Sequence, residues 1–98
     1  MQAIESKFIR FQNGEAKMMR FDTEVEPPVS RSRTYGTFNM DFTVYHPVDS
    51  ILPKIWSAHI ATAKNKVIPL LQQGFTVLLV GRTGEGKYNT RYWVKPIR

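Results

Sequence analysis

Residues 87–95 read Lys87-Tyr88-Asn89-Thr90-Arg91-Tyr92-Trp93-Val94-Lys95. In an extended strand, Lys87, Asn89, Arg91, Trp93 and Lys95 fall on one side and Tyr88, Thr90, Tyr92 and Val94 on the other. The first side offers cations to phosphates and a flat indole to bases, the two things a single-stranded nucleic acid presents. The second side reads as a core face. The plainer reading of Trp93 is a ring packed under a neighbour or at a subunit interface, because an exposed tryptophan is uncommon.

Just upstream, Gly81-Arg82-Thr83-Gly84-Glu85-Gly86-Lys87 matches the spacing G-x-x-x-x-G-K that begins a phosphate-binding loop. The match stops there. The next residue should be Ser or Thr to hold magnesium and is Tyr88. The loop should open a helix, and here it opens a stretch rich in aromatic residues. A hairpin loop is the better reading, with glycines and Arg82 free to touch a nucleic-acid backbone. His46 and His59 are the only histidines and have no carboxylate cluster beside them in sequence, a weak case for a metal. No Ser–His–acid grouping or carboxylate pair stands out, so no catalytic residue, cofactor or metal is expected.

Ninety-eight residues make one domain, residues 1–98, with little room for a separate catalytic lobe. There is no cysteine, which removes disulfides, thiol catalysis and cysteine zinc sites together. No apolar run approaches the roughly 20 residues of a membrane span, and the start lacks the order of a signal peptide. A soluble, cytoplasmic protein is expected, in the host cytoplasm if its origin is viral. The net charge of +6 is concentrated. Residues 1–49 hold six basic and seven acidic residues, net −1; residues 50–98 hold eight basic residues and Glu85 alone, net +7. Such an excess favours polyanions and fades with salt.

The elements that must position these residues follow from pattern. Lys7 to Phe11 alternates as a strand, Asn13-Gly14 is a hairpin-turn signal, and Ala16 to Val25 returns as a second strand that Pro27-Pro28 stops. Residues 27–36 form a loop carrying Arg31, Arg33 and Tyr35. From Thr37 to Tyr45 alternation is clean, with Phe38, Met40, Phe42 and Val44 on one face and Tyr45 on the other. Asp49 or Ser50 can cap a helix, and Ile55, Trp56, His59, Ile60, Ala63 and Val67 recur at helical spacing, with Trp56 as the helix's anchor. Pro69 starts a further short turn that Gly74 ends. Strands at about 75–82 and 87–95 close the chain.

The order is three strands, a helix, two strands. The expectation is a mainly β protein, a five-stranded OB-fold barrel with one helix between strands 3 and 4; a five-stranded sheet with one packed helix and no closure is the alternative. In an OB-fold the usual nucleic-acid surface is the face of strands two and three with the flanking loops. That nominates Lys17, Arg31, Arg33, Arg82 and Lys87. Stacking rings would be Trp93 with Tyr35 and Tyr45, supported by Arg91 and Lys95. Arg10 and Arg20 are weaker candidates, because ordinary solvated strand charges often look the same.

Trp56, Ala58, Ala61, Ala63, then Val67-Ile68-Pro69-Leu70-Leu71-Gln72-Gln73-Gly74, then Val77-Leu78-Leu79-Val80-Gly81-Arg82 resembles the helix and fourth strand of bacterial and phage-type single-stranded DNA-binding proteins. Tyr88-Asn89-Thr90 resembles the opening of their fifth strand. The likeness spans about 40 of the 98 residues, and most of it encodes fold. Those proteins carry a glycine-rich linker and an acidic tip, whereas this chain reads Lys95-Pro96-Ile97-Arg98. Their third-strand tryptophans have no match in Thr37 to Tyr45. The resemblance implies a non-catalytic, sequence-tolerant single-stranded DNA-binding module for replication or recombination, acting as a homo-oligomer (dimer or tetramer). An RNA-binding OB module and a protein-interaction or structural subunit, possibly viral, are the competing readings.

Overall fold

A long central strand, Phe38–Tyr45, organises the molecule, because its alternation leaves Phe42 and Val44 fully inward. The computed structural model describes residues 7–33, 36–84 and 90–98. Six strands are β1 (Ala16–Phe21), β2 (Val29–Arg31), β3 (Phe38–Tyr45), β4 (Lys54–His59), β5 (Val77–Thr83) and β6 (Arg91–Pro96). They form one antiparallel sheet in the order β2-β3-β1-β5-β6, with β4 on β3. β4 pairs with Asn39–Val44 along one edge of β3. β2 and β1 share the other edge, at its start and its end. Among the described residues no ladder joins β4 to β6, so the sheet stays open along that seam.

Six strands, rather than five, arise because one expected strand is lost and two unexpected ones, β2 and β4, are gained. The Lys7–Phe11 segment is not a strand paired with its successor. It runs parallel beside β4, with Ile9 N donating to Ile55 O at 2.7 Å and Ile55 N donating to Lys7 O at 2.7 Å. Asn13-Gly14 does turn, with Gly14 at φ +80°, but Gly14 N donates to Arg82 O and β1 then pairs with β5. The chain changes partner because β4 has an edge to fill and Phe11 is drawn into the core. β2, inside what reads as a loop, is three exposed residues at the sheet margin and leaves no apolar pattern to detect.

The other gained strand is Lys54–His59, which is not the start of the helix. Trp56 and Ala58 point inward with Ser57 and His59 outward, a period of two. Ile55 adds a half-buried apolar residue on the outer side, with the parallel segment bonded beside it, and this produces the helical spacing. The turn that reads as a helix cap is held by Arg20, whose Nε donates to Val48 O at 2.9 Å and whose Nη2 donates to Ser50 O at 3.2 Å. The helical run begins six residues after Lys54, at Ile60, where His59 Nδ1 accepts from Ala61 N at 3.2 Å. It is α over Ile60–Thr62, π over Ala63–Val67 and α again over Ile68–Gln72. Pro69 has no N–H for the carbonyl four residues back, so a smooth helix cannot pass through it. The chain widens before it, and Ile68 N reaches back to Ala63 O. Gly74, at φ +99°, ends the run as its sequence position predicts.

Trp56 is the centre of the core and 2% exposed. Its ring meets those of Phe11, Phe21, Phe42 and Tyr92 at 6.0–6.1 Å. Such pairs add about 0.5–1.5 kcal/mol each beyond area burial. Ala63 and Val67 of the helical run close the opposite side, and Leu78 and Val80 supply the floor from β5. Phe38, on the face expected to be core, is 50% exposed; it lies opposite Arg31 of the edge strand β2, whose guanidinium stands 5.8 Å from its ring centroid.

Candidate nucleic-acid interface

Pairing register decides which side chains share a surface. Gly81 lies opposite Trp93, Thr83 opposite Arg91 and Leu79 opposite Lys95. On the other edge of β5, Gly81 pairs with Ala16, Leu79 with Met18 and Val77 with Arg20. Arg20 in turn pairs with Tyr45. Leu78 and Val80 face the core, so all of these residues lie on the outer face of the sheet.

Trp93 occupies the middle of the β6 part of that face. A Cβ at Gly81 would overlap Cε2, Cζ2 and Nε1 of the indole, so the ring packs directly against bare backbone. Glycine in a strand interior costs stability and marks such a close approach. Lys95 Nζ stands 5.3 Å from the ring centroid, and Arg91 is exposed two residues away on the same side. Met18, 43% exposed, and half-buried Leu79 continue the face as an apolar strip. At its far end the Arg20 guanidinium stacks 4.1 Å from the Tyr45 ring centroid. The Tyr45 hydroxyl donates to Asp22 Oδ2 at 3.1 Å, and this bond, followed by burial and the Asp22 charge, raises the phenol above its usual range.

The seam between β4 and β6 is a second basic region. There the segment before β1 crosses from Ile55 to Arg82. Arg82 is half-buried: Nη1 donates to Phe11 O at 2.6 Å and Nη2 to Thr90 Oγ1 at 3.3 Å. Lys17 pairs with Glu15 at 3.2 Å and lies 5.8 Å from the Phe11 ring centroid. The Gln12 amide, donating at 2.9 Å, and then Lys17 hold the Glu15 carboxyl below the ordinary range. Burial raises the Tyr92 phenol, with the Arg82 charge opposing.

The sequence-selected residues therefore divide. Tyr45, Arg91, Trp93 and Lys95 share the outer face, although no ring contact joins Tyr45 to Trp93 among the described residues. Lys17 and Arg82 belong to the seam, on the inner side of the same strands. Arg31 and Arg33 sit at the β2 margin, where Arg31 Nε donates to Gly36 O at 3.3 Å and its guanidinium lies 5.8 Å from the Phe38 ring centroid. Tyr35 and Lys87 lie outside the described residues. The face built from the second and third strands of the expected barrel does not gather the nominated cations; β6 does, at the side of the sheet. Sequence reasoning missed Gly81, Met18 and Leu79 as parts of the outer face and ranked Arg20 only as a weaker candidate. A glycine inside the strand, directly after the apolar run Val77 to Val80, was the available signal.

Among the described residues, no three His, Asp or Glu side chains cluster to hold a metal ion, and no helix is long and apolar enough to cross a membrane. Comparison with protein-family models, with curated proteins and with solved structures gives no match.

Proposed function

We propose that this chain is a non-catalytic OB-fold module that binds single-stranded DNA without choosing sequence, in the service of replication or recombination, and that it works as a homo-oligomer. The observation that carries the reading is Trp93 packed against the backbone of Gly81 between Arg91 and Lys95. A ring held against backbone is pre-ordered, so a base stacking on its free side loses little side-chain entropy. In the free protein Lys95 stands over that ring, an interaction worth about 0.5–1 kcal/mol at an exposed site. A stacked base is worth about 1–3 kcal/mol, so it displaces the ammonium, which then meets the phosphate of the same nucleotide. Arg91 neutralises the neighbouring phosphate. None of these contacts reads a base edge, hence the sequence tolerance.

The strand path β4-β3-β1-β5-β6, with β4 and β6 turned toward each other across the seam, supports an OB barrel left partly open. β2 is then an added edge and the helical run the usual plug.

Equilibrium titration with oligo-dT, duplex DNA and oligo-U tests the proposal. Tight binding to oligo-dT that weakens steeply with salt, with duplex far behind, is the expected result. Equal affinity for duplex and single strand overturns it, and preference for oligo-U moves the assignment to RNA.

A further inference from the structure

The seam opens into a cleft of about 610 Å³, within the size range of small-ligand sites. Three cations line it, Arg10, Lys17 and Arg82, against one carboxylate, Glu15. Among the described residues the Lys17–Glu15 pair is the one salt bridge, and no described carboxylate pairs with Arg10 or Arg82. For Arg82 the imbalance is severe. Its guanidinium is half-buried and its Nε is buried with no hydrogen-bond partner among the described residues. Arginine cannot relieve this by losing a proton. Gln12, Ser57 and Tyr92, each with a side chain able to donate, complete the wall. The floor is Phe11 and Trp56, apolar and nearly sealed, which concentrates the field of the cations into the opening.

We infer that the seam cleft is an anion subsite that takes a single phosphate-bearing group. An anion there supplies the charge that Arg10 and Arg82 lack and accepts from the uncharged donors around it. The cleft lies on the opposite side of β5 and β6 from Trp93, so one nucleotide cannot fill both places. The phosphate has two sources, a free ion or the 5′ end of a strand.

Amide NMR of the full chain, at constant ionic strength, separates these. The probes are inorganic phosphate, 5′-phosphorylated oligo-dT and 5′-hydroxyl oligo-dT. The expected result is saturable shifts at Gln12, Ser57 and Tyr92 with inorganic phosphate or with the phosphorylated oligomer. Shifts with inorganic phosphate identify a free ion; shifts confined to the phosphorylated oligomer identify a strand end. Arg10→Gln, at an exposed residue whose loss leaves the core intact, weakens this binding about tenfold, the worth of one charge-assisted hydrogen bond. Lys17→Gln gives a second, independent reading in the same direction. Absence of saturable shifts at the three amides with both phosphorylated probes overturns the inference, as does unchanged affinity in both variants. The outer-face reading fails separately, through loss of Trp93 quenching while these shifts persist.

Discussion

The two tryptophans mark regions built on opposite rules. Trp56 is sealed inside four aromatic neighbours, and the cations above it, Lys17 and Arg82, are tied to Glu15, Phe11 and Thr90. Trp93 rests on a glycine, half-exposed, and its flanking cations Arg91 and Lys95 have no carboxylate within ion-pairing distance among the described residues. The first region uses Lys17 and the terminal nitrogens of Arg82 to hold the chain across the open seam and leaves Arg10 and Arg82 Nε for an enclosed anion. The second presents its groups on an open face. Residue type alone does not distinguish them: each has a tryptophan, a lysine and an arginine. What separates them is which side of β5 and β6 they occupy, and therefore whether a second layer of chain covers them.

Substitution should show this contrast most strongly in stability. Trp56→Ala removes the ring around which the core is packed and should cost about 3–5 kcal/mol, read in denaturant melts. Trp93→Ala should cost roughly 1 kcal/mol or less, in line with a half-exposed side chain. Similar losses for the two would erase the contrast.

Gly81→Val comes next. Its side chain overlaps the indole, so the Trp93 ring must leave the backbone. Oligo-dT affinity should fall by about tenfold to a hundredfold, the worth of about 1–3 kcal/mol of stacking, while the fold persists. Retained affinity would mean that the ring's placement against Gly81 has no part in binding.

A smaller effect separates the cations. Arg91→Gln and Lys95→Gln should each lower the slope of log affinity against log salt by about 0.7, the value for one phosphate contact on a single strand. Arg31→Gln, at the β2 margin, should leave the slope unchanged.

The smallest effect concerns alkaline pH at the seam. Burial keeps the Tyr92 proton on in the folded state beyond the point where the unfolded chain loses it. The stability this contributes is complete below about pH 10 and is lost as pH rises through the raised folded value. Tyr92→Phe should therefore flatten the fall in melting temperature above about pH 10 relative to the parent protein.

Much of this arrangement was legible in the sequence, though not uniformly. Alternation found β3 to within one residue, and it placed Trp93, Arg91 and Lys95 opposite Tyr92 and Val94. Both follow from local period. The strand β4 was hidden because its outward Ile55 is apolar, beside a segment from the start of the chain that bonds to its edge, and this turned a two-residue period into an apparent helical one. The role of Gly81 depends on the β5–β6 register, and that of Arg82 on a carbonyl 71 residues away. Net charge pointed to residues 50–98, but the seam draws Arg10 and Lys17 from the other half, which only the fold brings beside Arg82.

The central claim is that Trp93, and not Trp56, meets the nucleic acid. Tryptophan fluorescence during an oligo-dT titration, run on the parent protein, Trp93→Phe and Trp56→Phe, measures this directly. The account predicts quenching that survives in Trp56→Phe, disappears in Trp93→Phe and weakens with added salt. Quenching that persists in Trp93→Phe, or no quenching at saturating oligo-dT in the parent, would contradict it.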